Sequence, residues 1–367
     1  MRDNPNLKGI PLGIAGLGRR SVLTTCNYEA RAFGCHSAMP TFKALERCPN
    51  LRLVAPDFKK YQAVAHQIRK IFQEYTELVE PLSLDEAYLD VSANKIIATE
   101  IAREIRQRIQ KELGLTSSAG IGPNKMLAKI ASDWHKPNGQ FEIVEEKVAS
   151  FMQKLPVRKL WGVGQKTEQQ LIKMGIQTCG DMQPISLSDL IRRFGKFGAE
   201  LHNLARGQDE RSVQPHRERK SISVERTFGD FITGLETASE KVNLLYEELY
   251  SELLYKDKYN STSGIFVKIK FSDFAVSSVS KTGPTPPLKS FFGLLESGIQ
   301  RNSNPIRLLG IGVRLHSVIK KNAQLDFIDV LDPVNPDHPD VHPKFHDALC
   351  WSFCSYLTCF CLLNHSF

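Results

Sequence analysis

A chain of 367 residues with 41% hydrophobic side chains is too long for one compact core, and at roughly 100–200 residues per domain it is expected to form two to four domains. Its 24% charged and 9% aromatic residues are those of a globular protein and exclude a disordered one. The net charge of +8 is local: residues 1–102 carry net +2, residues 103–220 net +8 and residues 221–367 net −2, so a polyanionic partner is expected at the middle segment, although a solvated basic surface fits the charge equally well.

In chain order, residues 1–57 open with Gly/Pro-rich text and a short strand candidate around Ser21–Thr24, followed by Thr25, Tyr28 and Arg31 at the three-residue spacing of one helical face. Residues 61–78 carry a helical stripe of Ala65, Ile68, Ile71, Phe72 and Tyr75. Strand candidates follow at Leu82–Leu84 and Ala87–Val91. An amphipathic helix is predicted over 96–112, with Ile97, Ile101, Ile105 and Ile109 four residues apart. A strand at Ser117–Ile121 and a helix from Asn124 to Ser132 complete an alternation typical of an α/β or α+β layer. Residues 148–211 read as short helices joined by Gly-rich turns, without a strand. After a charged linker, residues 221–330 suggest a small α+β domain. Its strands are expected at 221–227, 264–271 and 308–315, and its helices near 236–255 and 288–299. The last residues are a Pro/His/Asp run and a Cys-rich apolar tail.

The cysteines lack metal-site spacing. Cys26, Cys35, Cys48 and Cys179 are scattered, as free thiols of a reducing compartment would be, while Cys350, Cys354, Cys359 and Cys361 crowd the C-terminus. The start is polar and lacks a signal peptide, so a cytoplasmic protein is expected. The apolar run from Ala348 to Leu363 is too short for a membrane span, and no membrane partner is expected.

Four constellations carry possible chemistry. Asp85 and Glu86 lie side by side in apolar hairpin text. Buried carboxylates are costly without a cation or hydrogen bonds, and Mg²⁺ favours such oxygens. Neighbours on a flat strand face opposite ways, so the pair shares a metal only if the chain bends there; solvated carboxylates on a half-exposed hairpin are the alternative. Thr25, Tyr28 and Arg31 suggest a phosphate clamp or a plain surface helix. Ala119 through Lys125, and Lys136-Pro137-Asn138-Gly139, are Gly-rich turns able to face anions or simply to punctuate the chain. Lys159 through Gly164, with Gly162, Gly164 and Lys166, suggests two helices joined by a Gly-x-Gly hairpin whose backbone N–H groups grip a DNA phosphate, or two helices merely packed together, and it lies in the basic segment.

Taken together, these motifs resemble those of the Y-family DNA polymerases, closest to the bacterial DNA polymerase IV (DinB) group. The matching stretches are Asn27 through Arg31 with Phe33-Gly34, Ser83 through Val91, Ser118 through Lys129, Lys136 through Gly139, and Leu160 through Gly164. Arg219-Lys220-Ser221 and Ile311 through Arg314 resemble the family's C-terminal DNA-gripping domain. The resemblance implies an α+β multidomain, right-hand polymerase: fingers at 1–57, palm at 58–146, a helical thumb at 147–212, a linker at 213–221 and an α+β little finger at 222–328. It also implies low-fidelity, template-directed translesion DNA synthesis by a monomer, with primer-template DNA and deoxynucleoside triphosphates as partners. Two Mg²⁺ ions are expected at Asp85 and Glu86, the catalytic pair. Thr25, Tyr28, Arg31 and Lys136 would hold the nucleotide, and Gly162, Gly164, Lys166, Lys220 and Arg314 the DNA. Gln324, Leu325 and Phe327 resemble a sliding-clamp motif.

Two departures follow from the same resemblance. The family begins with a palm strand carrying Asp-x-Asp and an aromatic gate, ahead of the text that opens here at Met1. Without it the palm sheet is expected to keep uncovered edges, and the chain to be poorly stable with little activity, from a start assigned too far downstream or a broken gene. The family usually stops near residue 328, so the tail 329–367 is expected to be atypical and dispensable. A non-catalytic DNA- and clamp-binding remnant is the alternative to the enzyme. A helix-hairpin-helix nuclease or glycosylase accounts for the thumb motif but not for Ser83–Asp90 or the turn after Lys136.

Overall fold

A computed structural model describes residues 1–283 and 287–316 and the strand 357–363. These fall into two compact units. The first holds Met1–Gly16 and Val22–His216 together with the strand at 357–363; the second holds Leu17–Ser21 and the chain from Arg217.

The first unit opens with a small sheet in which β1 (Leu12–Ala15) pairs antiparallel with β2 (Leu23–Cys26). Helices α1 (Tyr28–Ala32) and α2 (Thr41–Arg47) follow, and β3 (Arg52–Val54) returns parallel to β1. Asn27 joins strand to helix. Its Oδ1 accepts the Ala30 N–H (3.1 Å), capping α1, and also the Leu12 N–H (2.8 Å). Thr25 therefore lies on β2 and not on the helix, because the Asn27 cap fixes where helical hydrogen bonding begins.

Helix α3 (Phe58–Gln73) starts at an Asp57 cap and buries Ala65, Ile68, Ile71 and Phe72. A short hairpin of β4 (Val79–Pro81) and β5 (Glu86–Asp90) leads to α4 (Ala98–Leu113). Ile101, Ile105 and Ile109 of α4 are fully buried, which contributes about 1.5–3 kcal/mol each. Ile97 departs from the expected stripe: it precedes the helix in extended backbone and is exposed. Strand β6 (Thr116–Ile121) and helix α5 (Lys125–Ser132) come next, the latter capped by Asn124, and β7 (Gln140–Glu142) pairs parallel with β6. The helix lies against the strand at Gly120, where a Cβ would stand 2.1 Å from the Ala128 carbonyl oxygen and 2.2 Å from the Ser132 nitrogen.

Five short helices close the unit: α6 (Val148–Lys154), α7 (Gln165–Lys173), α8 (Cys179–Met182), α9 (Leu187–Phe194) and α10 (Lys196–Leu204). They gather around Met152, Leu155, Leu171, Ile176, Met182 and Leu201.

In the second unit, β8 (Ser221–Ile232), α11 (Leu235–Tyr255), β9 (Thr262–Phe271), β10 (Val276–Thr282), α12 (Leu288–Ile299) and β11 (Ile306–Leu315) build an antiparallel sheet ordered β10-β9-β11-β8. Alternation along β9 and β11 sends Val267, Ile269, Leu309 and Ile311 into the core with Leu245 and Leu249 of α11.

One strand overturns an expectation. β12 (Leu357–Leu363) lies in the first unit, in the middle of a five-stranded sheet ordered β4-β5-β12-β6-β7. It runs parallel to both neighbours, with Cys359 level with Glu86 on one side and Ser118 on the other. The inner edges of β5 and β6, expected to be uncovered, are paired by a segment of the tail expected to be extraneous.

Candidate active site

The chain between β4 and β5 is a bend, and Asp85 sits in it, while Glu86 begins the strand. The bend that two neighbouring carboxylates need in order to share a region is thus present. It is fixed by local hydrogen bonds: the Leu82 and Ser83 N–H groups donate to the Glu86 carbonyl (2.7 and 3.2 Å), the Ser83 hydroxyl donates to Asp85 Oδ1 (2.5 Å), and the Asp85 N–H donates back to Ser83 Oγ (3.1 Å). Burial pushes the Asp85 carboxyl up to about 6 against the opposing Ser83 hydrogen bond, and the negative charge of Glu86 adds to the rise. Asp90, at the far end of the motif, has a structural part: its Oδ1 accepts the Ser92 N–H and hydroxyl (3.0 and 2.6 Å).

Helix α5 brings two lysines to this hairpin. Lys129 Nζ donates to Glu86 Oε1 (2.9 Å). One turn earlier, Lys125 is buried, with Nζ 2.5 Å from Glu80 Oε2, 2.9 Å from the Ser212 carbonyl and 4.8 Å from the centre of the Tyr88 ring. Glu80 also accepts the Gln214 N–H (2.7 Å), Asp209 accepts the Met126 N–H (3.0 Å), and Asn124 Nδ2 donates to the Gly207 carbonyl (2.7 Å). The first turn of α5 thereby ties the hairpin to residues 207–214. Sequence reasoning missed these partners, because Lys125 and Lys129 follow their carboxylates by 45 and 43 residues. Among the described residues, no group of three or more His, Cys, Asp or Glu side chains gathers to hold a metal.

Lys136 follows α5 and pairs with Asp133 (2.5 Å) in an i,i+3 contact. Its turn is set by Arg106 of α4. That guanidinium donates to the Asn138 carbonyl (2.6 Å) and side chain (3.1 Å), to Gln140 Oε1 (3.2 Å) and to the Ser117 carbonyl (2.9 Å). The turn is therefore more than punctuation: a cation from a neighbouring helix fixes its shape.

Tyr28 and Arg31 share α1, with the Arg31 guanidinium 5.9 Å from the Tyr28 ring centre and its Nε donating to the Cys26 carbonyl (3.1 Å). Thr25 stands level with Ile14 in the sheet just before them.

At the tip preceding α7, Gly162 takes φ +82°, a left-handed value disfavoured for any side chain, and a Cβ there would lie 2.8 Å from the Phe197 ring. Gly164 caps α7 in ordinary extended backbone with open space around it, and Lys166 is exposed in the first turn. In the second unit, Arg314 pairs with Ser221 across β11 and β8, and the Leu315 N–H donates to the Lys220 carbonyl (2.9 Å). Both cationic residues are exposed, and Arg314 lies between buried Val313 and Leu315 on the strand face away from α11 and α12. Gln324, Leu325 and Phe327 lie outside the described residues.

Three family matches cover this architecture in order: the impB/mucB/samB family at residues 1–133, the DNA polymerase-iota thumb domain at 158–209, and the impB/mucB/samB family C-terminal domain at 219–327. The chain belongs to the Y-family DNA polymerases, a family of DNA-directed DNA polymerases, and has the family's fold with its thumb and C-terminal little finger. Among individual proteins it is similar to DNA polymerase IV of Ralstonia nicotianae, 47% identical over 320 residues covering 86% of this chain and 90% of the relative. DNA polymerase IV of Ectopseudomonas mendocina is 46% identical, covering 89% and 94%. Of solved structures, a Y-family polymerase chimera of Dbh and Dpo4 matches with TM-score 0.78 at 27% identity over 85% of this chain and 93% of the other. An insertion ternary complex of Dbh DNA polymerase matches with TM-score 0.60 at 26% identity over the same shares.

Proposed function

We propose that the chain adds deoxynucleotides to a primer 3′ end under the direction of a template, with low fidelity and across damaged template, releasing pyrophosphate. The observation that carries this is the hairpin at Asp85 and Glu86: two adjacent hard-oxygen donors, one in a bend and one at a strand start, with Lys129 against Glu86. The pair fits Mg²⁺ by its chemistry, since that ion is commonly held by one or two carboxylates while substrate phosphates and water complete its shell. Two ions are expected there, and their charge would stabilise the attacking and leaving oxygens.

The protein groups then act by placement. Thr25, Tyr28, Arg31 and Lys136 bind the triphosphate, with Asp133 orienting the Lys136 ammonium and Arg106 shaping its turn. Gly162, Gly164 and Lys166 bind DNA phosphates, and Lys220 and Arg314 grip the duplex from the outer sheet face. In this assignment residues 1–57 are the fingers, 58–146 the palm, 147–212 the thumb, 213–221 a linker and 222–328 the little finger. The protein acts as a cytoplasmic monomer and binds the sliding clamp through Gln324, Leu325 and Phe327. Among the described residues no helix is long and apolar enough to cross a membrane.

One observation favours a second reading, a DNA- and clamp-binding protein with impaired or no catalysis: no third acidic, histidine or cysteine side chain joins Asp85 and Glu86 among the described residues. Primer extension with Mg²⁺ separates the two. The enzyme extends primers, and Asp85→Asn abolishes extension while DNA binding survives. Normal extension by that variant refutes the assignment, and tight binding without extension by the unaltered chain selects the second reading.

A further inference from the structure

The sheet that carries Glu86 has a strand-shaped slot between β5 and β6. We propose that this slot is a strand-acceptor surface, and that its occupant is the chain's own C-terminal segment Leu357–Leu363, added in cis as the middle strand. The inference stands apart from the polymerase reading, since it rests on the sheet alone.

Four observations carry it. First, β12 pairs on both sides, from Cys359 with Glu86 to Leu363 with Asp90, and from Leu357 with Thr116 to Leu362 with Ile121. Second, β5 and β6 cannot pair with each other directly, and among the described residues β12 is the strand between them. Neighbouring strands stand about 4.8 Å apart, so without β12 the edges of β5 and β6 would face each other at about twice that distance, beyond pairing range. Both edges belong to buried strands, and α4 and α5 pack against β6 and β12, so the unpaired N–H and C=O groups would not be freely hydrated. Third, the segment suits the position. A central parallel strand is buried on both faces and reads as a continuous apolar run, and Leu357-Thr358-Cys359-Phe360-Cys361-Leu362-Leu363 has no charge, proline or glycine. The preceding text, with Pro333, Pro336, Pro339 and Pro343, is ill suited to a central strand. Fourth, reach is ample: 40 residues separate His316 from Leu357, and an extended chain spans up to about 3.3–3.6 Å per residue.

The consequence is a link between the C-terminus and the hairpin. Glu86 is the first rung of β5 to pair with β12, so the seated tail strand adds a second support to the backbone that the local hydrogen bonds of the Asp85–Glu86 bend already shape.

Hydrogen exchange on the intact protein tests this. Amides of residues 358–362 should exchange slowly, together with those of 86–90 and 116–121. In a chain ending at Asp340, the β5 and β6 amides should lose protection about tenfold or more, or the first unit should fail to fold, while β8, β9 and β11 keep theirs. A synthetic peptide of residues 350–363 should restore protection to a truncated chain that still folds. Rapid exchange at 358–362 in the intact chain overturns the proposal, and so does unchanged protection of β5 and β6 after truncation. A concentration-dependent dimer in which isotope-labelled and unlabelled copies exchange this strand overturns the cis assignment in favour of a second copy.

Discussion

Lys125→Met is the sharpest perturbation of the first unit. The ammonium is 5% exposed and the Glu80 carboxylate facing it at 2.5 Å is 18% exposed, so removing the cation leaves a nearly buried anion without its counter-ion. Breaking one side of such a pair costs about 3–5 kcal/mol. Glu80 retains the Gln214 N–H, and methionine refills most of the lysine stem's volume against Tyr88, so the lower end, about 3 kcal/mol, is expected. At a urea dependence of about 2–3 kcal/mol per molar, the midpoint should fall by about 1 M with unchanged slope. Trp134 and Trp161 both lie in the first unit, and their fluorescence follows its unfolding. The double variant Glu80→Gln with Lys125→Met removes both charges and should recover most of the loss. A single variant within about 0.5 kcal/mol of the parent refutes the reasoning, as does a double variant no more stable than the single.

The two glycines of the hairpin tip should separate folding from binding. Gly162→Ala is strained by its positive φ and by Phe197, so thermal denaturation should show a loss of about 1–2 kcal/mol. Gly164→Val has room and ordinary backbone, so stability should hold while DNA affinity falls alike for all sequences, and equal affinity in a salt-dependent binding assay would count against phosphate contact there. Hydrogen bonding and ion pairing from Arg2, then Lys60, depress the Asp3 carboxyl from its ordinary 3.8 to about 2. A carboxyl depressed on folding adds stability above its unfolded value, and that contribution is lost as pH falls from about 4 toward 2. Asp3→Asn should therefore flatten the acid side of a melting-temperature profile in that window, and parallel profiles would dismiss the ion pair as a contributor.

Much of the architecture was legible because burial imposes a period. The Ile101, Ile105 and Ile109 stripe and the alternation in β9 and β11 could be read directly, and the carboxylate hairpin stood out because charge is rare in apolar text. Strand β10 escaped notice: as an edge strand its Val276-Ser277-Ser278-Val279-Ser280 needs little apolar surface, so no period marks it. Three-residue spacing groups Thr25 with the helix that follows, because spacing alone says nothing of where a cap falls. The pairing of Lys125 with Glu80 and of Lys129 with Glu86 was invisible, since contacts across a sheet and helix leave no local spacing. Asp133 with Lys136 was open to view at i,i+3. The place of β12 could not be inferred at all, because a strand's neighbours are chosen by the whole sheet.

Gly120 acts at a distance. Because the helix backbone rests on that α-carbon, a single added methyl would lever α5 outward, and the tips of its lysines with it. A charge contact at 2.9 Å has little slack to lose, so the electrostatics of the Glu86 carboxylate are governed partly by a position with no side chain of its own. Screens that score mutations by chemical type would pass over this residue, yet it works as a shim whose thickness fixes how far an ammonium can lean across the sheet.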